Sequence, residues 1–385
     1  MNNNERIYVD LHVLQTVPPS CVNRDDTGSP KTAVYGGVTR ARVSSQAWKR
    51  AMRQKFTEIL GSSDKNAVGC RTTRVFSMLE QEIREIAPDI KRDDAKKIST
   101  YVWNLIGISA DRKTEESKVL VFVSTEQINS LAKWAVANKD QLLKLASKKR
   151  KNEDEEGDEE NKKEKKSPLV DEVVELMNRH PSLDQALFGR MVASKAVLNF
   201  DAAAQVAHAI STHAVENEFD YFTAVDDCAP EDNAGAGHLG TVEFNSSTLY
   251  RYATVNVGEL QNMLGEKTPE AVRAFADAFI RSMPTGKQNT FANWTRPDAV
   301  YVTARRDQPV NMAGAFEKPV RAGAQGYVTN SVQALADYAA ETYRDFVAAP
   351  VLSLAVGKGL EALAVPGSVD ALLDGLEAWL KEETK

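Results

Sequence analysis

The sequence has little cysteine and histidine, no excess of positive charge and no long apolar run. Its three cysteines, Cys21, Cys70 and Cys228, include no CxxC pair. That excludes a disulfide framework and a cysteine-built zinc site, and it fits a reducing, cytoplasmic compartment. Of the five histidines, His208 and His213 stand five apart, roughly 140° around a helix, so they share no helical face. Together with His238 they could meet a metal only through the fold, and three structural histidines are the simpler reading. No stretch reaches the roughly 20 apolar residues that span a bilayer. The opening MNNNERIYVDLHVL has no apolar run behind a basic region, so it is not read as a signal peptide. Lysine and arginine total 48 against 54 aspartates and glutamates, a formal charge of −6. That balance argues against nucleic-acid binding by the whole surface, so a polyanion site must be local.

Catalytic patterns are scarce as well. Gly286-Lys287 invites a phosphate-loop reading, but that motif needs Gly at 281 and Ser or Thr at 288, where the chain has Arg281 and Gln288. The loop PTGKQNTFANWTRP still offers donors suited to a phosphate or sugar: Thr285, Lys287, Gln288, Asn289 and Asn293. No Ser/His/Asp or Cys/His spacing marks a nucleophile. Asp25 and Asp26 are an acidic pair in a basic loop, a weak signal by itself. They could hold a divalent metal or act in acid–base cleavage of RNA. Equally, Asn23-Arg24-Asp25-Asp26 could be an Arg–Asp pair closing a loop.

What the chain does have is a basic concentration at residues 18–56, PPSCVNRDDTGSPKTAVYGGVTRARVSSQAWKRAMRQKF. Arg24, Lys31, Arg40, Arg42, Lys49, Arg50, Arg53 and Lys55 stand against only Asp25 and Asp26. Val38–Val43 alternates in the manner of a half-buried strand. Ser44 or Ser45 can then cap a helix. Trp48, Ala51, Met52, Phe56 and Ile59 form its apolar face, leaving Gln46, Lys49, Arg50 and Arg53 on the other. Strand arginines, a capped helix start with free N–H groups and a basic helical face are three anion-holding devices side by side. A merely solvated basic face is the competing reading.

Around this stretch, Arg6–Leu14 reads as a strand ending before Pro18-Pro19. Residues 61–186 turn helical, with periodic apolar residues over Thr73–Ala87, Ala95–Ile106 and Ile128–Leu145 and a short strand at Val119–Val123. Residues 148–167 (KKRKNEDEEGDEENKKEKKS) contain no apolar residue and read as a solvated, disordered loop. The nearby lysines Lys139, Lys144, Lys148, Lys149 and Lys151 are either plainly solvated or a basic surface. Residues 216–247 suggest a long β-hairpin with a glycine-rich tip, whose aromatic residues have little apolar sequence beside them. Strands at Leu249–Val257 and Ala299–Arg305, helices at Pro269–Met283 and Thr329–Phe346, and a short C-terminal helix complete an α+β pattern.

Several runs carry a resemblance: LHVLQTVPPSCVNRDD, GGVTRARVSSQAWKRAMR, LFGRM, AHAISTH, DYFTAVDD, HLGTVEFNSSTLYRYA and PTGKQNTFA. Together they resemble the CasC family, the repeated backbone subunit of the type I-E CRISPR Cascade complex. The run 148–167 departs from the family's pattern. The resemblance implies a modified RNA-recognition (ferredoxin-like) palm over 1–60 and 187–385, an inserted helical fingers domain over 61–186 and a thumb hairpin over 216–247. It implies no catalysis and no cofactor. The partners it implies are a guide RNA (crRNA), further copies of the chain, target DNA paired with the guide, and the large, small, guide-processing and 5′-end-capping subunits. By position, Arg24, Lys31, Ser44, Gln46, Lys49, Arg50 and Arg53 would hold the guide backbone and Met191 would wedge against a flipped base. Tyr221, Phe222, Thr223 and Val225, with Leu239 across the hairpin, would form the thumb's contact surface. The related type III backbone subunits, which cleave RNA with a loop aspartate, supply the alternative, with Asp25 or Asp26 in that role.

Overall fold

The computed structural model describes residues 6–60, 67–111, 113–152, 168–192, 195–224 and 238–385. These fall into two compact units. The first comprises residues 1–55, 204–258 and 268–385; the second comprises 56–203 and 259–267. Residues 187–203, expected in the palm, therefore belong to the helical unit. Arg190 ties them there, through carbonyls of the helix Pro168–Asn178 and of Leu198.

The first unit is built on an antiparallel sheet. Its strands are β1 (Tyr8–Ser20), β2 (Thr32–Tyr35), β3 (Val38–Val43), β6 (Ala204–Val206), β7 (Ala209–Ser211), β8 (Glu218–Ala224), β9 (His238–Asn256), β10 (Ala299–Arg305) and β11 (Leu352–Val356). Strands β4 (Cys70–Thr72) and β5 (Val121–Val123) pair with each other in the second unit. The order across the main sheet is β11-β10-β1-β9-β7-β3-β2, with β6 and β8 also pairing with β9. Strand β1 lies between β10 and β9, and its alternate residues Val9, Leu11 and Val13 are buried on one face.

Two strands run further than their apolar patterns imply. Strand β1 does not stop before Pro18-Pro19. Its pairing with β10 ends at Leu14, and its register with β9 shifts between Val17 and Ser20. The prolines thus fall where β1 has a neighbour on one side only and the ladder is already irregular, the setting that tolerates a missing N–H. Strand β9 is likewise longer than Leu249–Val257. Its outer half pairs with β8 and its inner half with β1, so arm and sheet are one continuous strand.

The other face carries polar residues. Asp10 is buried, accepting from Tyr252 Oη and the Val310 N–H, each at 2.9 Å. His12, also buried, has Nδ1 2.9 Å from Tyr250 Oη. Burial lifts the Asp10 carboxyl to about 6, and burial, helped by the charge of Arg305, pushes the His12 imidazole down to about 3.

The second unit packs the helices Val75–Ile86, Arg92–Leu105, Thr125–Ala137, Lys139–Asn152 and Pro168–Asn178 around Leu79, Ile98, Trp103, Leu131 and Val173. The single helix expected over Ile128–Leu145 is two. Asn138 breaks it, turning both its backbone N–H and its side-chain amide onto the Trp134 carbonyl; asparagine favours such local bonds over helix continuation. The second of these helices runs through Asn152, so residues 148–152 of the charged run are helical rather than loop. Lysine and arginine are good helix formers and can extend a helix already anchored at buried Leu142. The remainder of that run, 153–167, lies outside the described residues. Among the described residues no helix is long and apolar enough to cross a membrane.

Candidate nucleic-acid interface

The basic stretch folds into three adjoining pieces of the first unit. The first is the loop 21–31. Asp25 Oδ1 accepts from the Thr27 N–H, the Thr27 hydroxyl and the Ser29 N–H at 2.9, 2.7 and 3.0 Å. These bonds, led by the Thr27 hydroxyl, hold its carboxyl below the usual range. Asp25 therefore builds the turn, without an Arg24–Asp25 pair, and displays Arg24 and Asp26 on an exposed rim. Backbone bonds from Asp25 N to Ser29 O and from Lys31 N to Asn23 O close the loop.

The second piece is the start of helix α1 (Ser45–Leu60). Ser44 is its cap: Ser44 Oγ accepts from the Ala47 N–H at 3.3 Å, and Asn23 Oδ1 accepts from the Ser44 N–H at 2.8 Å. The cap is thus bonded to the first loop. Trp48 and Met52 are buried; Gln46 and Arg50 are exposed, with Lys49 and Arg53 half-buried beside them. Partial burial pushes the Lys49 ammonium down. A buried arginine fixes this helix to the sheet. The Arg251 guanidinium, on β9, lies 3.6 Å from the Trp48 ring centroid and 4.6 Å from that of Phe279. It donates to Gln15 Oε1 and to the Phe279 carbonyl. Burial lowers it to about 9, yet it stays charged at neutral pH.

The third piece is the β2–β3–β7 edge, and here one strand arginine drops out. Arg40 is fully buried and donates to the carbonyls of Tyr35, Ser211, Phe316 and Glu317. It cannot reach an anion. Arg42 stays at the surface, donating from Nε to the Thr32 carbonyl at 3.1 Å, with Nη1 3.1 Å from His208 Nδ1. The loop after helix Thr268–Arg281 closes the cleft beside Arg24. Gly286 runs so near the first loop that a Cβ there would sit 1.9 Å from the Val22 carbonyl oxygen. Lys287 follows at φ 52°; buried Asn293 donates to the Gly286 carbonyl.

Met191 lies in the second unit and is 81% exposed. Gly189 takes φ 74°, where a Cβ would crowd Phe200 O at 2.9 Å. Arg190 is buried and donates to Leu198 O, Met177 O and Asn178 Oδ1. Burial lowers it to about 10. The FGRM sequence thus turns on its glycine, anchors by its arginine and projects its methionine.

Every residue of β8 is exposed, including Phe219, Tyr221 and Phe222. Phe222 lies across Gly240, and Thr223 pairs with Leu239. Residues 225–237, with Val225, lie outside the described residues. His213 is structural: it stacks on Tyr327 at 3.7 Å, accepts from the Thr248 N–H at Nε2 and donates from Nδ1 to the Ala214 carbonyl. Among the described residues no cluster of three metal-ligating side chains occurs.

The arrangement is an α+β protein with a cation-bearing sheet edge and loops, a helical unit that presents a methionine, and an arm with exposed aromatic residues. Its fold matches that of a chain from a "CRISPR RNA-guided surveillance complex, pre-nicking", with a TM-score of 0.79 and 34% identity over 97% of this chain and 99% of that one. A chain from a second "CRISPR RNA-guided surveillance complex" matches with a TM-score of 0.70 and 29% identity, over 97% and 99% respectively. The chain belongs to the CT1975-like protein family, whose model matches residues 9–375. No curated protein matches it.

Proposed function

We propose that this protein is a non-catalytic, guide-RNA-binding backbone subunit of a Cascade-type CRISPR surveillance complex, of the type I-E CasC kind. The observation that carries the reading is the 34% identity over almost the whole of both chains with a chain of a CRISPR RNA-guided surveillance complex. The geometry supports it. A cationic groove that tracks the backbone binds single strands without reading base edges, and a subunit that must accept any guide needs that indifference. Arg24, Lys31, Ser44, Gln46, Lys49, Arg50 and Arg53 hold phosphates, Met191 wedges a base, and Tyr221, Phe222, Thr223, Val225 and Leu239 meet the next copy. Sequence discrimination is left to pairing between guide and target DNA, as in other RNA-guided systems. Asp25 is committed to its own turn, which disfavours a role for it as a metal-holding catalyst.

The test is co-expression with a guide RNA, purification, sizing and sequencing of the bound RNA. A large particle with copies spaced along one guide supports the reading. A monomer free of RNA, in the presence of guide, refutes it.

A further inference from the structure

The Arg42–His208 contact was not among the expected phosphate contacts, and its chemistry is constrained. A guanidinium has only N–H groups to offer. At 3.1 Å from Arg42 Nη1, His208 Nδ1 must therefore be the acceptor. The imidazole is then neutral and carries its proton on Nε2. Partial desolvation, and after it the charges of Arg42 and Lys31, hold His208 below its usual pKa. These two are the charged groups acting on it. Lys31 and Arg42 are neighbours across the strand edge, through the bond from Arg42 N to Lys31 O at 2.8 Å. Arg42 is two residues from the helix cap Ser44, so the cluster adjoins the cleft already described.

We propose that Lys31, Arg42 and His208 form one oxyanion subsite for a guide-RNA phosphate, in which His208 serves as a neutral donor through Nε2–H. Arg42 plays two parts, ligand and tautomer lock. The inference rests on the guide-binding reading. A neutral donor has a signature that a cation lacks. Losing a cation removes a released counterion and flattens the salt dependence by roughly 0.7 per contact. Losing a neutral donor lowers affinity equally at every salt concentration. A hydrogen bond to a charged group corresponds to about a ten-fold change at the low end.

The experiment measures binding of a single-stranded guide RNA to the full chain over a salt series, at pH 7.5 and 8.5. The variants are His208→Ala, His208→Gln and Lys31→Ala. His208→Ala should bind about ten-fold more weakly with the wild-type slope. His208→Gln, whose amide can donate from a similar position, should recover most of the loss. Lys31→Ala should flatten the slope. The wild-type to His208→Ala ratio should be equal at the two pH values, since an imidazolium ligand would make it fall as pH rises. Unchanged affinity in His208→Ala, a slope flattened as in Lys31→Ala, or a ratio falling with pH overturns the inference alone. Failure of the wild type to bind guide overturns the guide-binding reading and this subsite with it.

Discussion

Asp10 and His12 sit two residues apart on one face of β1 with oppositely perturbed acidities, and their effects on stability should nearly cancel. Asp10 keeps its proton up to about 6 in the fold and loses it near 3.8 when unfolded. Its raised folded pKa contributes stability below about pH 4, lost as pH climbs through 6, for a total of about 3 kcal/mol. His12 stays neutral in the fold down to about 3, whereas it takes a proton near 6.5 when unfolded. Its contribution is full above pH 6.5 and is lost as pH falls toward 3. Between pH 4 and 6, the folded and unfolded pairs therefore each hold one proton, and the pair adds no slope. Removing either residue uncovers the other, at about 1.4 kcal/mol per pH unit. Relative to wild type, Asp10→Asn should gain stability as pH rises from 4 to 6, and His12→Asn should lose it. Urea unfolding of wild type and both variants at pH 4.5, 5.0, 5.5 and 6.0 reads these slopes. Only the difference in slope is diagnostic, because each substitution also has a constant packing cost. Parallel slopes in all three proteins would refute the assignment of these protonation states.

The two kinds of guide contact should separate in a salt series: Lys49→Ala and Arg53→Ala each flatten the slope by roughly 0.7 for every guide sequence. Met191→Ala should leave the slope intact and cost about 1–3 kcal/mol, in the manner of a lost stacking contact; wild-type slopes in the two lysine and arginine variants would show a merely solvated face. Replacing 218–244 with a short Gly-Ser turn should leave a cooperatively melting monomer that forms no regular filament, because Phe219, Tyr221 and Phe222 have solvent rather than core around them. Loss of the melt would make the segment core. Complementary RNA or DNA incubated with the assembled complex in magnesium or manganese should stay intact, and cleavage abolished by Asp25→Ala or Asp26→Ala would favour the RNA-cleaving alternative.

Periodicity made the regular elements legible. The helices near 75–86 and 328–345 follow directly from apolar spacing because each buries one face, while the strand Ala299–Arg305, buried at all seven positions, shows as a short run rich in β-branched and aromatic residues. The two faces of α1 are legible for the same reason, whereas its cap is legible only as Ser44 or Ser45, and the Ser44 Oγ bond to the Ala47 N–H decides it. Pairing is a different matter, since it depends on partners far away in sequence. Nothing local says that Pro18-Pro19 falls where β1 has lost β10, or that the hairpin and the strand after it are one strand of 19 residues.

Arginine is the residue whose place the sequence marks least, and the reason is general. Arg40 and Arg42 alternate onto the same side of β3, yet one is buried under the Phe316–Glu317 carbonyls while the other meets solvent and His208. Arg190, Arg251 and Arg305 are also buried, and each donates to backbone carbonyls at a chain turn or helix end. A guanidinium offers five fixed donors and almost never loses its charge, so it can satisfy several orphan carbonyls that no secondary-structure ladder reaches. A basic stretch therefore contains two populations. One holds the scaffold and one stays at the surface, and charge counting cannot divide them. Carbonyls left open by the fold make the division. Arg40 therefore holds the edge from which Arg42 projects. Arg190 holds the turn from which Met191 projects, and Arg251 the bed on which Trp48 sets the face of α1.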